Sequence, residues 1–275
     1  MRIALAQMQS GIDPQANAVG LVQAIASAAK GGAAMVFTPE MSGLLDRNRA
    51  RASAHIMSEE LDIVLAAVRK AAAESGIWVS LGSLALKGGS DGRLINRSFL
   101  IDETGSVRAR YDKIHLFDVD LPTGESWRES AAYAPGEEAV VVDTPVGRLG
   151  LSICYDLRFP ALYAALSEAG ATILSIPAAF TVPTGKAHWH TLMRARAIEN
   201  ATWVVSAAQV GTHEDGRSTF GHSLVVDPWG EIVLDMGEQP GVAFADLDPA
   251  RCNEVRAQIP VIAHRRGVSR ASVVS

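Results

Sequence analysis

Cysteine is scarce in this chain: Cys154 and Cys252 are the only two in 275 residues. They sit in unlike contexts and neither belongs to a Cys-x-x-Cys pair, which excludes a disulfide framework and a cysteine-based zinc site. Positive charge is also short. The net charge of −5 leaves no basic footprint for nucleic acid. No uninterrupted apolar run reaches the ~18 residues of a membrane-spanning helix. Met1-Arg2 leads straight into an expected strand, with no charged, apolar and cleavage regions in series, so a secretory signal is not expected. Low-complexity linkers and residue-level repeats are missing too, and one domain over residues 1–275 is the expectation. What is present suits a globular protein with a sizeable core, 48% hydrophobic and 20% charged. A free thiol fits a reducing cytoplasm.

Periodicity predicts alternating strands and helices. Strands are expected at 2–8, 33–37, 77–82, 95–102, 106–111, 139–143, 147–153, 171–176, 202–208, 222–227, 231–235 and 241–246. Helices are expected at 14–30, stopped by Gly31-Gly32, at 59–75, from Pro160 to about 169, at 186–200 and at 249–257. Asp102 to Gly105 and Asp227-Pro-Trp-Gly230 read as hairpin turns. Residues 117–136 read as a long loop, and loops of that length in a compact domain are often functional. Hairpins among the alternating elements exclude a purely parallel sheet, and the pattern by itself implies a mixed α/β protein.

Three strand ends carry the chemistry. Cys154 closes the apolar run Gly-Arg-Leu-Gly-Leu-Ser-Ile-Cys (147–154) and opens Tyr-Asp-Leu-Arg-Phe-Pro (155–160). At such a strand-to-helix corner unpaired N–H groups and the helix dipole favour a thiolate. Glu40 ends Ala-Met-Val-Phe-Thr-Pro-Glu (34–40). Lys113 lies in Arg-Tyr-Asp-Lys-Ile-His-Leu-Phe (110–117). Taken singly, the thiol reads as a buried hydrophobe, the carboxylate as a cap or turn residue, and the ammonium as a solvated surface charge. Together they make a plausible nucleophile, base and electrophile.

At these residues the chain resembles the nitrilase, or carbon–nitrogen hydrolase, superfamily, which carries a Glu-Lys-Cys triad in these contexts. The resemblance begins at Ile-Ala-Leu-Ala-Gln-Met (3–8). It continues through Lys-Ile-His-Leu-Phe-Asp-Val-Asp (113–120), Ala-His-Trp (187–189), Arg-Ala-Arg-Ala-Ile-Glu-Asn (194–200) and Gly-His-Ser-Leu-Val-Val-Asp-Pro-Trp-Gly (221–230). It is closest to the Nit branch, the deaminated-glutathione amidases and omega-amidases. Cys-Tyr-Asp favours that branch over nitrilases, which usually show Cys-Trp-Glu, and over N-carbamoyl amidases, which usually show Cys-Asn-Asp.

The resemblance implies a four-layer α-β-β-α sandwich and an amidase that opens the terminal carboxamide of a small carboxylate-bearing substrate. The reaction would pass through a thioester and release ammonia, with no cofactor and no metal; the alternatives are nitrile or carbamoyl hydrolysis by the same triad, and last a non-enzymatic scaffold. It assigns Cys154 to attack, Glu40 to proton transfer, and Lys113 with the backbone N–H of Tyr155 to the oxyanion. Glu129 would support the lysine. Arg158, whose planar fork suits a carboxylate, would read the substrate's far end or else pair with Asp156. Phe180 and Thr184 would line the pocket mouth. A glutamate usual after Arg-Phe-Pro is here Ala161. Histidines 115, 188 and 222 read as structural hydrogen-bonding groups. Trp189, Leu192, Met193 and Arg196 form one apolar helical face, which in this family packs at a subunit interface, so a homodimer is expected. Cys252, flanked by Arg251 and Asn253, reads as a helix-surface residue.

Overall fold

The computed structural model describes residues 1–120, 124, 126–267 and 272–273. Its first half holds β1 (Arg2–Gln7), α1 (Pro14–Lys30), β2 (Met35–Phe37), α2 (Arg49–Ser53), α3 (Ile63–Ser75), β3 (Trp78–Lys87), β4 (Leu94–Ile101) and β5 (Val107–Asp112). A ribbon of β6 (Asp118–Asp120) and β7 (Ser126–Arg128) follows. The second half holds β8 (Val141–Thr144), β9 (Gly147–Leu151), α4 (Pro160–Glu168), β10 (Ile173–Ser175), α5 (Val182–Asn200) and β11 (Trp203–Ser206). Then come β12 (Val210–Thr212), β13 (Ser218–Phe220), β14 (Leu224–Val226), β15 (Ile232–Asp235), β16 (Gly241–Asp246), α6 (Arg251–Gln258) and α7 (Val261–His264).

Two six-stranded sheets run β16-β1-β2-β3-β4-β5 and β15-β14-β11-β10-β9-β8. Each has a parallel trio, β1-β2-β3 or β9-β10-β11, flanked by antiparallel strands. The two halves thus share an architecture that leaves no residue-level repeat. Strand side chains alternate faces. Ile3, Leu5, Met35 and Phe37 turn inward to meet Leu149, Leu151 and Ile173 of the other sheet. Ala4 and Val36 turn outward to Leu21 and Ile25 of α1 and Val68 of α3. Leu162 and Leu166 of α4, with Trp189 and Met193 of α5, cover the other sheet. The order is therefore α-β-β-α, as the resemblance implies.

The helix signals act where they stand. Asp13 accepts from the Gln15 N–H with Pro14 at the first position, and Asp62 does the same for Leu65. Because Asp62 caps α3, the expected helix from 59 splits into a 3-10 turn over Glu59–Leu61 and α3, and Leu61 is exposed. Gly76 at φ 60° closes α3 in the left-handed region.

Several expectations are corrected. β3 runs on to Lys87, with a register shift between Leu81 and Leu84 that breaks the alternation a single strand would show. The 117–136 loop contains the β6–β7 ribbon, and its residues 121–123 and 125 lie outside the described residues. The β12–β13 ribbon is unforeseen, since its short polar strands carry no apolar period. On α5, Trp189, Met193 and Arg196 are buried within this chain, so that face completes the protein's own core and is not free for a partner.

Cys252 is 1% exposed, with its thiol 3.3 Å from the Thr172 carbonyl oxygen that it donates to, so the surface reading fails. Arg251 is half-buried in an ion pair with Asp227 and Asn253 is exposed, while the thiol between them on α6 turns inward. Cys252→Ala should keep full activity but lower stability by about 1 kcal/mol, the lower end for trimming a core side chain. Thermal melting beside an activity assay checks both halves.

Candidate active site

The residues expected to form the site gather where strands end, at the carboxyl ends of β2, β5, β9 and β10, the edge on which open α/β sheets place ligands. Beyond β2, Thr38-Pro39 turns the chain and buries Glu40. Its Oε1 accepts from Lys113 Nζ at 2.9 Å and from Asn96 Nδ2 at 3.0 Å, and its Oε2 accepts from the Ala179 N–H at 2.9 Å. Gln209 Nε2 holds the Glu40 carbonyl at 3.0 Å. Lys113, also buried, donates to Glu129 Oε2 at 2.9 Å and Oε1 at 3.1 Å. Glu129 is oriented by the Phe117 N–H, 2.6 Å from its Oε2.

Gly82 in β3 sets the position of the Glu40 turn. Its N–H donates to Thr38 Oγ1 at 3.0 Å, and a Cβ there would run into the carbonyl oxygens of Thr38 and Pro39. Gly82→Ala must therefore push back the backbone that carries Glu40. Stability should fall by about 1–3 kcal/mol, as for overpacking, with a drop in turnover larger than the melting shift explains. Wild-type kcat/KM in a folded Gly82→Ala protein would refute this placement.

Cys154 begins a five-residue 3-10 turn over Cys154–Arg158, with φ 48° in the left-handed region. Its N–H donates to the Pro177 carbonyl at 2.8 Å. Fully buried Asp156 holds the turn in place by accepting from Tyr111 Oη at 2.7 Å and the Ile153 N–H at 2.8 Å. It also accepts from the His115 N–H at 3.0 Å, and His115 Nδ1 lies 2.7 Å away. At the start of this turn the Tyr155 N–H is among those with no acceptor within the helix, and Tyr155 lines the cavity at the site.

Charge settles the resting state. Burial alone would raise Glu40, but the Lys113 charge and hydrogen bonds from Cys154, Lys113 and Asn96 outweigh it and hold the carboxyl below its ordinary range. Burial would lower Lys113, but the Glu129 and Glu40 charges outweigh that and lift it well above the usual ammonium range. Burial and then the Glu40 charge push the Cys154 thiol well up, with Lys113 opposing in part. The site rests as carboxylate, ammonium and neutral thiol. The expected dipole-stabilised thiolate is opposed on two counts: α4 starts only at Pro160, a 3-10 turn beyond the sulfur, and burial and the Glu40 charge disfavour the thiolate.

These groups lie against a cavity of about 800 Å³ whose lining includes Glu40, Lys113, Glu129, Cys154, Tyr155, Phe180 and Thr184. Phe180 packs at 4.9 Å between centroids on Trp189. Arg158 is not among the lining residues. Its guanidinium lies 5.3 Å from the Phe180 ring centre and 5.9 Å from that of Tyr155, and Nη1 is 3.3 Å from His188 Nδ1. It forms no ion pair with Asp156 either, because Asp156 is held by Tyr111 and His115. The expected carboxylate reader thus lies against two rings that line the pocket. Ala161 lies exposed in the first turn of α4.

The arginines that do line the cavity are 47, 49, 93, 128 and 217. Arg93, Arg128 and Arg217 are paired with Asp91, Asp120 and Asp215. Arg47 and Arg49 have no acidic partner within 4.0 Å among the described residues, although Arg49 Nη2 donates to the Arg128 carbonyl at 2.8 Å. Sequence reasoning missed these two, along with Asn96, the Ala179 N–H and the role of Asp156.

The family model described as carbon-nitrogen hydrolase matches residues 2–257. The deaminated glutathione amidase of Yersinia enterocolitica is 43% identical over 272 residues, 97% of this chain and 93% of its own length. The crystal structure of the Caenorhabditis elegans NitFhit protein matches with a TM-score of 0.89 at 41% identity, covering 96% of this chain and 65% of that one. The amidase from Nesterenkonia matches at 29% identity with a TM-score of 0.82, covering 97% of this chain and 94% of its own. That structure is of a glutamate-to-glutamine variant with the acetamide moiety of fluoroacetamide added covalently at the active-site cysteine.

Proposed function

The chain belongs to the carbon–nitrogen hydrolase family, and on that premise we propose that this amidase opens its substrates through a thioester on Cys154. The supporting observation is the convergence of Glu40, Lys113, Glu129 and Cys154 on the wall of one cavity. An amide carbonyl is a weak electrophile. It needs a strong nucleophile, donors for the oxyanion and a proton for the leaving nitrogen. Glu40 takes the thiol proton as sulfur attacks the carbonyl carbon. Lys113 Nζ and the Tyr155 N–H hold the oxyanion. Glu40 then protonates the nitrogen, the carbon–nitrogen bond breaks, and the amine or ammonia leaves. A water gives Glu40 its proton and attacks the thioester, and sulfur recovers that proton as the acid departs. Glu129 keeps Lys113 charged and in place throughout.

The substrate class is a small amide bearing a distal carboxylate, of the deaminated-glutathione or 2-oxo-acid omega-amide kind. Relatives named deaminated glutathione amidase support this, as do the cavity's size and the two lining arginines, Arg47 and Arg49, that have no acidic partner among the described residues. Deaminated glutathione has a carboxylate at each end and its amide bonds between, so cleavage of the one to the 2-oxo acid releases an amine in place of ammonia. The testing experiment is a panel of deaminated glutathione, 2-oxoglutaramate, succinamate and N-carbamoyl-β-alanine, with products read by mass spectrometry. Carbon dioxide release from the last alone would replace this reading with a carbamoyl hydrolase.

Arg47 is the residue proposed to meet the distal carboxylate. A charged hydrogen bond is worth about 1.5–3 kcal/mol, reduced here because Arg47 is exposed. Arg47→Ala should therefore raise KM roughly tenfold for doubly acidic amides, with kcat nearly unchanged. Equal losses on a neutral amide such as butyramide would reassign Arg47 to loop structure.

The chain is proposed to work in the cytoplasm as a homodimer. Both cysteines are free, and no helix among the described residues is long and apolar enough to cross a membrane. Ile198 on α5, with Trp229 and Val233 on and beside the β14–β15 turn, is an exposed apolar residue suited to a second copy. Light scattering of the purified protein decides the oligomer.

A further inference from the structure

Outside the cavity, three side chains from three elements meet. They are His190 on α5, His222 on the turn before β14, and Asp235 at the end of β15. One ligand atom from each lies within 4.8 Å of the others. His190 Nε2 is 2.9 Å from Asp235 Oδ2, and His222 Nδ1 is 2.9 and 3.1 Å from the two carboxylate oxygens.

The group is held in place from several sides. The Gly237 N–H donates to Asp235 Oδ1 at 2.9 Å. Phe220 stacks on the His222 ring with centroids 4.4 Å apart and meets the His190 ring edge-on at 6.2 Å. His222 itself sits at φ 54°. Among the described residues only Met41, Cys154 and Ala201 share that region without being glycine, and the first two lie at the reacting groups. The strain at His222 is held by its N–H donating to the Gly237 carbonyl at 2.8 Å and by Trp189 Nε1 donating to its carbonyl at 2.9 Å. Backbone strain fixed so firmly aims a side chain at a use.

We propose that His190, His222 and Asp235 bind one divalent ion of the zinc class, at a site separate from the amidase cavity. Two imidazole nitrogens and one carboxylate oxygen suit zinc, cobalt or nickel; hard ions prefer all-oxygen sets, and no sulfur is present for copper(I). Tetrahedral bonds of about 2.0–2.2 Å set ligand atoms roughly 3.3 Å apart, so the two histidine–carboxylate spacings of 2.9–3.1 Å need open by only a few tenths of an ångström, and the two nitrogens already lie within 4.8 Å of each other. A water completes four ligands. The ion would tie α5 to the β14–β15 hairpin, next to Trp189, which supports Phe180 on the cavity wall. Its role is structural, since the thioester chemistry above needs no ion. Each imidazole binds an ion through a ring nitrogen that carries no proton.

The test uses the full chain carrying Cys154→Ala, so that the active-site thiol cannot bind metal. Calorimetric titration with zinc at neutral pH should show one equivalent bound, and cobalt should give the visible absorption of a four-coordinate site. His190→Gln and Asp235→Asn should each weaken zinc binding at least about 100-fold, the upper end of what losing even a supporting partner costs. Zinc should raise the melting temperature of the parent and not of His190→Gln. If Asp235→Asn does not fold, the half-exposed His190→Gln carries the test alone. No stoichiometric binding by the parent, or unchanged affinity in His190→Gln, overturns the proposal.

Discussion

Cys154→Ala should abolish turnover and leave the fold standing. The substitution removes one sulfur atom and keeps the Cβ, so the left-handed φ of 48° is as strained in the variant as in the parent. The three charges beside it stay paired, because Lys113 is held by Glu40 and Glu129 and not by the thiol. The resting thiol is neutral and 8% exposed, so its loss leaves a small void and no unpaired charge. Stability should change by about 1 kcal/mol, as for a small buried hydrophobe. Losing the nucleophile should cost up to about 10⁶-fold in kcat, since the remaining groups then have nothing to activate. Product release within about a hundredfold of the parent would remove the thioester from the mechanism.

How much of this was legible in the sequence depends on the kind of signal. Cys154 could be found because an apolar strand ends on it and Pro160 marks the next helix. Glu40 and Lys113 stand at strand ends that their own segments announce, and the family resemblance ordered them. The supporting groups were not legible. Asn96 looks like any polar residue on a strand, and nothing in its neighbourhood says that its amide meets Glu40. Asp156 is next but one to Cys154 and two before Arg158, which suggested a pair with Arg158. Only three-dimensional placement shows that it holds Tyr111, His115 and Ile153 instead.

Helix periodicity has the same limit. Trp189 and Met193 fall on one apolar face, but spacing says nothing about what covers it, and here the protein's own sheet does. At Cys252, charged neighbours along the chain hid a side chain turned inward at a helix start. The strand boundaries failed where alternation fails: at the register shift in β3, where both faces are buried, and in β12–β13, which is short and polar.

Glu40→Gln should separate the two halves of the reaction. Glutamine keeps the shape of the side chain and its contact with Lys113, which still has Glu129 as a charged partner. It removes the base, and turnover should fall about 10²–10⁴-fold or more, the usual worth of a positioned proton-transfer group, because that one group serves attack, departure and water activation. The thiol should not become inert. After burial, the Glu40 charge is what pushes Cys154 upward, while Lys113 pulls it down. Without the carboxylate the balance moves towards thiolate, so alkylation should persist although hydrolysis does not. A related amidase with glutamate changed to glutamine carries such an adduct on its cysteine. Intact-mass spectrometry after exposure to fluoroacetamide should find one adduct, absent from Cys154→Ala. A Glu40→Gln protein that turns over within about tenfold of the parent, or that resists alkylation while folded, would show that the proton path runs through another residue.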